Sequence, residues 1–183
     1  MAKVSRNTFD DGPWTLKKVE NFTMCDSFDC GNADLNEYFQ VDSKHYRANL
    51  LTQTYCLILR SVPDYALALF DFCNDHVVLK KTQATLETDP RAYTRSFPAV
   101  KLTRLGVTKK LQRQHIGSHA LNMVKKFFTT DNRTGCRLIT VDADNRPEIL
   151  EFYEKNNFLP LYNKDKDGPT RALYFDLKRF LNI

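Results

Sequence analysis

The sequence of 183 residues contains neither G-x-x-x-x-G-K-[ST] nor a G-x-G-x-x-G after a first strand. A P-loop nucleotide site and a dinucleotide fold are therefore set aside. Its five cysteines, Cys25, Cys30, Cys56, Cys73 and Cys136, are odd in number and never spaced C-x-x-C. That argues against a zinc ribbon and against a complete disulfide framework, so buried reduced thiols, a reducing cytoplasm and no metal are expected. No apolar run approaches membrane-spanning length, and the opening MAKVSRNTFDDGPW lacks the apolar core of a signal peptide. No membrane association is expected. Carboxylates are missing between Asp89 and Asp131, where Arg91, Arg95, Lys101, Arg104, Lys109, Lys110, Arg113, Lys125 and Lys126 all fall. This segment carries more than the whole net charge of +5, which leaves the remainder net negative. A local phosphate site explains such one-sidedness better than a general nucleic-acid surface, and the aromatics do not interleave with the basic run as a stacking platform requires.

Hydrophobic residues at 42% and aromatics at 12% suit one globular domain over residues 1–183, with 1–13 loose. Trp14 to Val19 reads as a first strand. Asn32 is placed to cap a helix running to about Asn49, with Asp34 in its first turn and an apolar stripe of Leu35, Tyr38, Phe39, Val41, His45 and Tyr46 that Asp42 interrupts. Thr54 to Arg60 and Tyr65 to Phe72 form a hairpin about Ser61-Val62-Pro63-Asp64. Lys80 to Pro98, polar and aperiodic, reads as a loop. A strand from Val100 to Val107, a basic loop and a helix from Ile116 to Phe128 follow, then a strand from Cys136 to Val141. Asn145-Arg146-Pro147 opens a helix that carries Glu148 to Lys155, and strands Phe158 to Tyr162 and Arg171 to Leu177 close the chain. The order requires antiparallel hairpins and a parallel crossover. An α/β, or mixed α+β, fold is expected: a mixed, mostly antiparallel central sheet of six to seven strands flanked by helices on both faces.

The basic loop delivers backbone N–H groups to a helix N-terminus, the build of an anion site. Its residues, Gln112-Arg113-Gln114-His115-Ile116-Gly117-Ser118 after Leu105-Gly106-Val107, resemble the Q/R-x-x-G-x-G/A pyrophosphate loop of the GNAT N-acetyltransferases. Asn145, then Phe152-Tyr153-Glu154-Lys155 and Asn157-Phe158, resembles that family's N…FYEK-x-GF segment. His115 stands where the family has its first glycine, and Asn157 where it has the glycine before phenylalanine; asparagine tolerates positive φ better than most residues.

The resemblance implies an enzyme that transfers acetyl from acetyl-CoA to a primary amine by direct attack in a ternary complex. Arg113 to Ser118 would cradle the coenzyme A diphosphate with Gln112 and Asn145 contributing, and β-edge groups at Leu105 and Val107 would pair with pantetheine and direct an N–H at the thioester carbonyl. Such an oxyanion donor is worth about 3 to 4 kcal/mol where one has been deleted. Tyr153, otherwise one aromatic in an apolar stripe, would protonate the departing thiolate; a phenol near pKa 10 is protonated at neutral pH. Asp71, Asp75, His76 and Asp142 lie near strand ends, and none announces itself as a general base.

Two further segments, Phe28-Asp29-Cys30-Gly31-Asn32-Ala33-Asp34-Leu35 and Phe97 to Val107, resemble a GNAT subgroup that includes toxins acetylating the amino group of aminoacyl-tRNA. Leu50-Leu51-Thr52-Gln53-Thr54 lacks the basic residue expected there in that subgroup. The acceptor is thus a small-molecule or protein amine, with aminoacyl-tRNA the alternative and a coenzyme A-binding module without turnover the third reading. Monomer and homodimer both fit.

Overall fold

The computed structural model describes residues 4–5, 7–78, 86, 96–130, 132 and 134–181. Nine strands and six α-helices occur among them, a mixed α/β fold with mostly antiparallel pairing. The chain divides into two compact units, one of residues Met1–Cys73 with Thr103–Phe127 and a second of Asn74–Leu102 with Phe128–Ile183.

In the first unit β1 (Val4–Ser5), β2 (Thr8–Asp11), β3 (Trp14–Lys18), β4 (Gln53–Leu59) and the start of β5 (Ala68–Val78) pair antiparallel in chain order. Residues 8–11 are therefore strand rather than loose chain. Phe9 is buried and faces Leu16, but one apolar side chain among Thr8, Asp10 and Asp11 leaves no alternation to read. Gly12, at φ +60°, supplies the left-handed turn residue that joins β2 to β3. Strands β1 and β2 take the count from the expected six to seven up to nine.

Helices lie on both faces of this unit. Alternation along β4 sends Cys56 and Ile58 one way, into a core with Val19, Phe28, Tyr38, Phe39 and Leu69 built under α1 (Thr23–Asp26), α2 (Ala33–Glu37) and α3 (Ser43–Ala48). Tyr55 points the other way and meets Phe127 of α4 (Ile116–Thr130), ring centroids 5.6 Å apart. The Asn32 side chain caps α2 by accepting from the Leu35 N–H at 3.0 Å. The expected single helix to Asn49 is instead broken by a π turn at Tyr38–Asp42. The extra residue rotates the stripe: Tyr38, Phe39 and Ser43 are buried, while Val41 and Tyr46, expected inside, are half exposed.

In the second unit β6 (Ser96–Val107, which runs on into the first) pairs parallel with β7 (Leu138–Asp144) over Ala99–Lys101 opposite Leu138–Thr140. β7 pairs antiparallel with β9 (Thr170–Asp176), and β9 with β8 (Leu159–Pro160). The core here joins Val77, Phe97, Ala99, Leu138, Leu161 and Tyr174. Helix α5 (Pro147–Lys155) has Pro147 in its first turn, and α6 (Leu177–Leu181) follows β9. β6 starts at Ser96, so the last residues of the expected Lys80–Pro98 loop are strand; the rest of that loop, Leu86 aside, lies outside the described residues.

None of the five cysteines forms a disulfide, and only Cys73 is partly exposed. Burial pushes the Cys25 and Cys56 thiols up to about 12. Iodoacetamide at pH 8 should therefore modify Cys73 first and leave Cys25 and Cys56 unlabelled until the chain is unfolded; peptide mass spectrometry reads the order.

Candidate acetyl-CoA site

The loop after β6 is fastened before it turns. Thr108 donates its hydroxyl to the Ala66 carbonyl at 2.7 Å and its N–H to Leu67 O at 3.0 Å. The Lys109 N–H donates to Asp29 O at 2.9 Å. Gln112 then bridges two segments, its side-chain amide donating to Cys30 O at 2.7 Å and Val107 O at 3.0 Å. The segment Phe28 to Leu35 and the end of β6, which both carried the subgroup resemblance, meet here. Gly106 packs closely here, since a Cβ on it would sit 3.0 Å from the Phe28 ring and press on it.

Asp29 holds its own turn, its carboxylate accepting from Gly31 N at 2.7 Å and from Asn36 Nδ2 at 2.8 Å. Those bonds hold its carboxyl below the usual range. Beside it a cleft of about 390 Å³ opens between Phe28, Asp29, Tyr65, Thr108, Lys109 and Lys110.

Past Gln112 the backbone turns left-handed twice, at Arg113 (φ 58°) and His115 (φ 60°). His115 thus adopts the conformation that glycine would adopt at its position. Alternating hand of this kind aims successive N–H groups at one point, and Ile116 and Gly117 stand in the first turn of α4, where a helix supplies no internal partner to its N–H groups. The His115 carbonyl accepts from His119 N at 2.9 Å, so the helix begins directly after it. Arg113, Gln114 and His115 are exposed. The arrangement is chemically an anion cradle with a cationic rim, and it fits a diphosphate. Ser118 lies in the first turn of α4, Leu105 and Val107 are half-buried on β6 past its ladder with β7, and Gln112 has committed its amide N–H groups to carbonyls.

In the second unit Asn145 also serves carbonyls, donating to Lys166 O at 2.9 Å and Gly168 O at 2.7 Å, which ties down the turn before β9. Tyr153 is buried in α5 between Phe152 and Phe158, with centroids at 5.1 and 5.3 Å. Burial pushes its phenol well above the usual range, so it is protonated at any physiological pH. A Schellman cap fixes it: Asn157, at φ 63°, donates to Glu154 O at 2.8 Å, and Phe158 donates to Tyr153 O at 3.0 Å while packing on the same ring.

Of the residues weighed as bases, the three aspartates have structural partners, and His76 is exposed with its main-chain N–H donating to the Asp75 carboxylate at 2.8 Å. Thr140 donates to Asp75 at 2.6 Å, Lys101 pairs with Asp142 at 2.5 Å, and Asp71 is wholly buried with hydroxyl donors from Tyr38 and Thr54. That last cluster was missed from sequence; the signal was a lone aspartate in the apolar run Ala68-Leu69-Phe70-Asp71-Phe72. Among the described residues no group of three or more His, Cys, Asp or Glu is gathered to hold a metal, and no helix is long and apolar enough to cross a membrane.

Asn157→Val should lower stability by about 1–2 kcal/mol and Asn157→Gly should be near neutral, since only the former places a branched side chain at positive φ. Urea denaturation of the two variants checks this.

No protein-family model matches the chain. Solved structures do. One described as a bacterial toxin is 17% identical, with a TM-score of 0.73 over 91% of this chain and 93% of that one. The toxin AtaT, complexed with acetyl-methionyl-tRNAfMet, is 19% identical, with a TM-score of 0.70 over 92% and 98%. AtaTR bound with acetyl-CoA is 21% identical, with a TM-score of 0.63 over 94% and 100%. At these identities the likeness establishes the fold, and the chain carries the GNAT fold in the form seen in these toxins.

Proposed function

We propose that the chain is an acetyl-CoA-dependent N-acetyltransferase. The observation that carries this reading is the left-handed pair Arg113 and His115 at the start of α4, which builds a diphosphate cradle without the usual first glycine. Main-chain donors from Arg113 to Ser118 hold the diphosphate, and the edge of β6 at Leu105 and Val107 pairs with the pantetheine amides. A β6 N–H stabilises the oxyanion as the acceptor nitrogen bonds to the acetyl carbon. The C–S bond then breaks, the sulfur leaves with its electron pair, and Tyr153 supplies the proton that makes the thiol. The amine gives up its proton to solvent; no side chain is assigned as base.

The acceptor we favour is the amino group of aminoacyl-tRNA. Its support is the run of toxin structures sharing this fold, one of them complexed with an acetylated aminoacyl-tRNA, together with exposed Arg104, Lys109, Lys110 and Arg113 in a segment free of carboxylates.

Two measurements test the reading. Calorimetry should show acetyl-CoA binding to the protein and markedly weaker binding to Arg113→Glu; absence of binding to the unaltered chain sinks the proposal. Tyr153→Phe should bind acetyl-CoA normally yet lose roughly 100-fold or more in kcat for thiol release with bulk aminoacyl-tRNA as acceptor. Unchanged turnover removes the acid role.

A further inference from the structure

Arg104 is the exposed side chain one residue before Leu105 on β6, and its guanidinium is held in place from below. The group lies over the ring of Tyr38, 4.8 Å from the centroid, and its Nη1 donates to Thr103 O at 2.8 Å. Tyr38 is itself buried, and its hydroxyl donates to Asp71 Oδ2. The other carboxylate oxygen accepts from Thr54 Oγ1 at 2.7 Å, and the main-chain carbonyl of Asp71 accepts from Thr103 Oγ1 at 3.1 Å. All these residues belong to the first unit.

The stack has a fixed bottom and an open top. Asp71 is fully buried, and burial raises its carboxyl pKa while the hydroxyl donors and the Arg104 charge pull it back. Tyr38 is the first residue of the π turn and is buried in it. Ring stacking and one bond from Nη1 to a carbonyl restrain the guanidinium and leave its Nε and Nη2 edge as a two-donor fork. A surface arginine normally loses rotamer freedom when it binds; here much of that loss has already occurred in the folded protein.

We infer that Arg104 on its Tyr38–Asp71 mount is a specificity residue that grips a phosphate borne by the acceptor, selecting amines attached to a nucleotide over plain amines. The inference rests on the N-acetyltransferase reading and deepens it. A planar fork suits a phosphate's oxygens, and the segment has no carboxylate of its own to occupy it. Position supports the role, because Leu105, whose strand edge is assigned to the thioester, is the next residue along the chain.

The test uses two acceptors that share one amine: adenosine carrying methionine through a hydrolysis-resistant 3′-amide, with and without a 5′-phosphate. Thiol release from acetyl-CoA is followed with each, and each is titrated calorimetrically with acetyl-CoA present. The phosphate should improve kcat/KM and Kd by about tenfold or more in the unaltered protein, the scale of a hydrogen bond to a charged group. In Arg104→Gln that preference should fall below about twofold, through KM, with acetyl-CoA affinity and melting temperature unchanged. Arg104→Lys should keep part of it, and Tyr38→Phe, which retains the ring but loses the bond to Asp71, should lower it in the same direction. Equal use of both acceptors by the unaltered protein, or a preference intact in Arg104→Gln, overturns the inference. A purely structural Arg104 would show instead as a lowered melting temperature with the preference kept. Binding selectivity without thiol release would leave Arg104's role standing and remove the transferase reading.

Discussion

The amide of Gln112 holds the first unit's working end together. Strand β6 ends at Val107, whose carbonyl accepts from this amide, and the Cys30 carbonyl in the segment before α2 accepts from it too. One side chain thereby ties the end of the strand to the segment before the helix through two main-chain acceptors. With Thr108 bound to Ala66 and Leu67, and Lys109 to Asp29, the chain reaches Arg113 along a fixed path. The left-handed residues that follow are then a consequence of where α4 must start. In the proposed site Gln112 would thus serve an anion through the shape of the loop rather than by touching it.

Charge is used differently on the two faces of this unit. On the side of α1 to α3 a carboxylate, Asp71, is buried among hydroxyls. On the opposite helix Lys125 is buried, and burial lowers its ammonium to about 8. Each group carries a desolvation cost that an apolar residue would not. The Asp71 side offsets part of it by orienting an aromatic ring and, through that ring, an exposed cation.

Periodicity exposed most of the fold. The hairpin of β4 and β5, helix α4, the β6 to β7 crossover and Pro147 at the head of α5 all follow from apolar spacing and turn chemistry that act locally. Strand β2 was illegible because Phe9 alone carries its burial, and the π turn because a helical period assumes a constant rotation per residue that Tyr38–Asp42 does not keep. In the candidate site the motif put His115 and Asn157 where glycines are usual, and both carry the left-handed backbone such positions call for; that of Arg113 was not readable, since no glycine is expected at its place. The side-chain bonds of Gln112 and Asn145 were equally hidden: both amides face carbonyls brought near by tertiary structure, from Cys30 in one case and Lys166 and Gly168 in the other.

The π turn makes chain length itself a setting. An α-helix advances about 100° per residue, so deleting one residue between Tyr38 and Asp42 would restore regular winding and swing the first half of the helix by about that angle relative to α3. Tyr38 would leave Asp71, and the core under α2 would lose Phe39 with it. Substitutions alter what a side chain in this helix does by degrees. A single deletion would reassign which residues face the sheet at all.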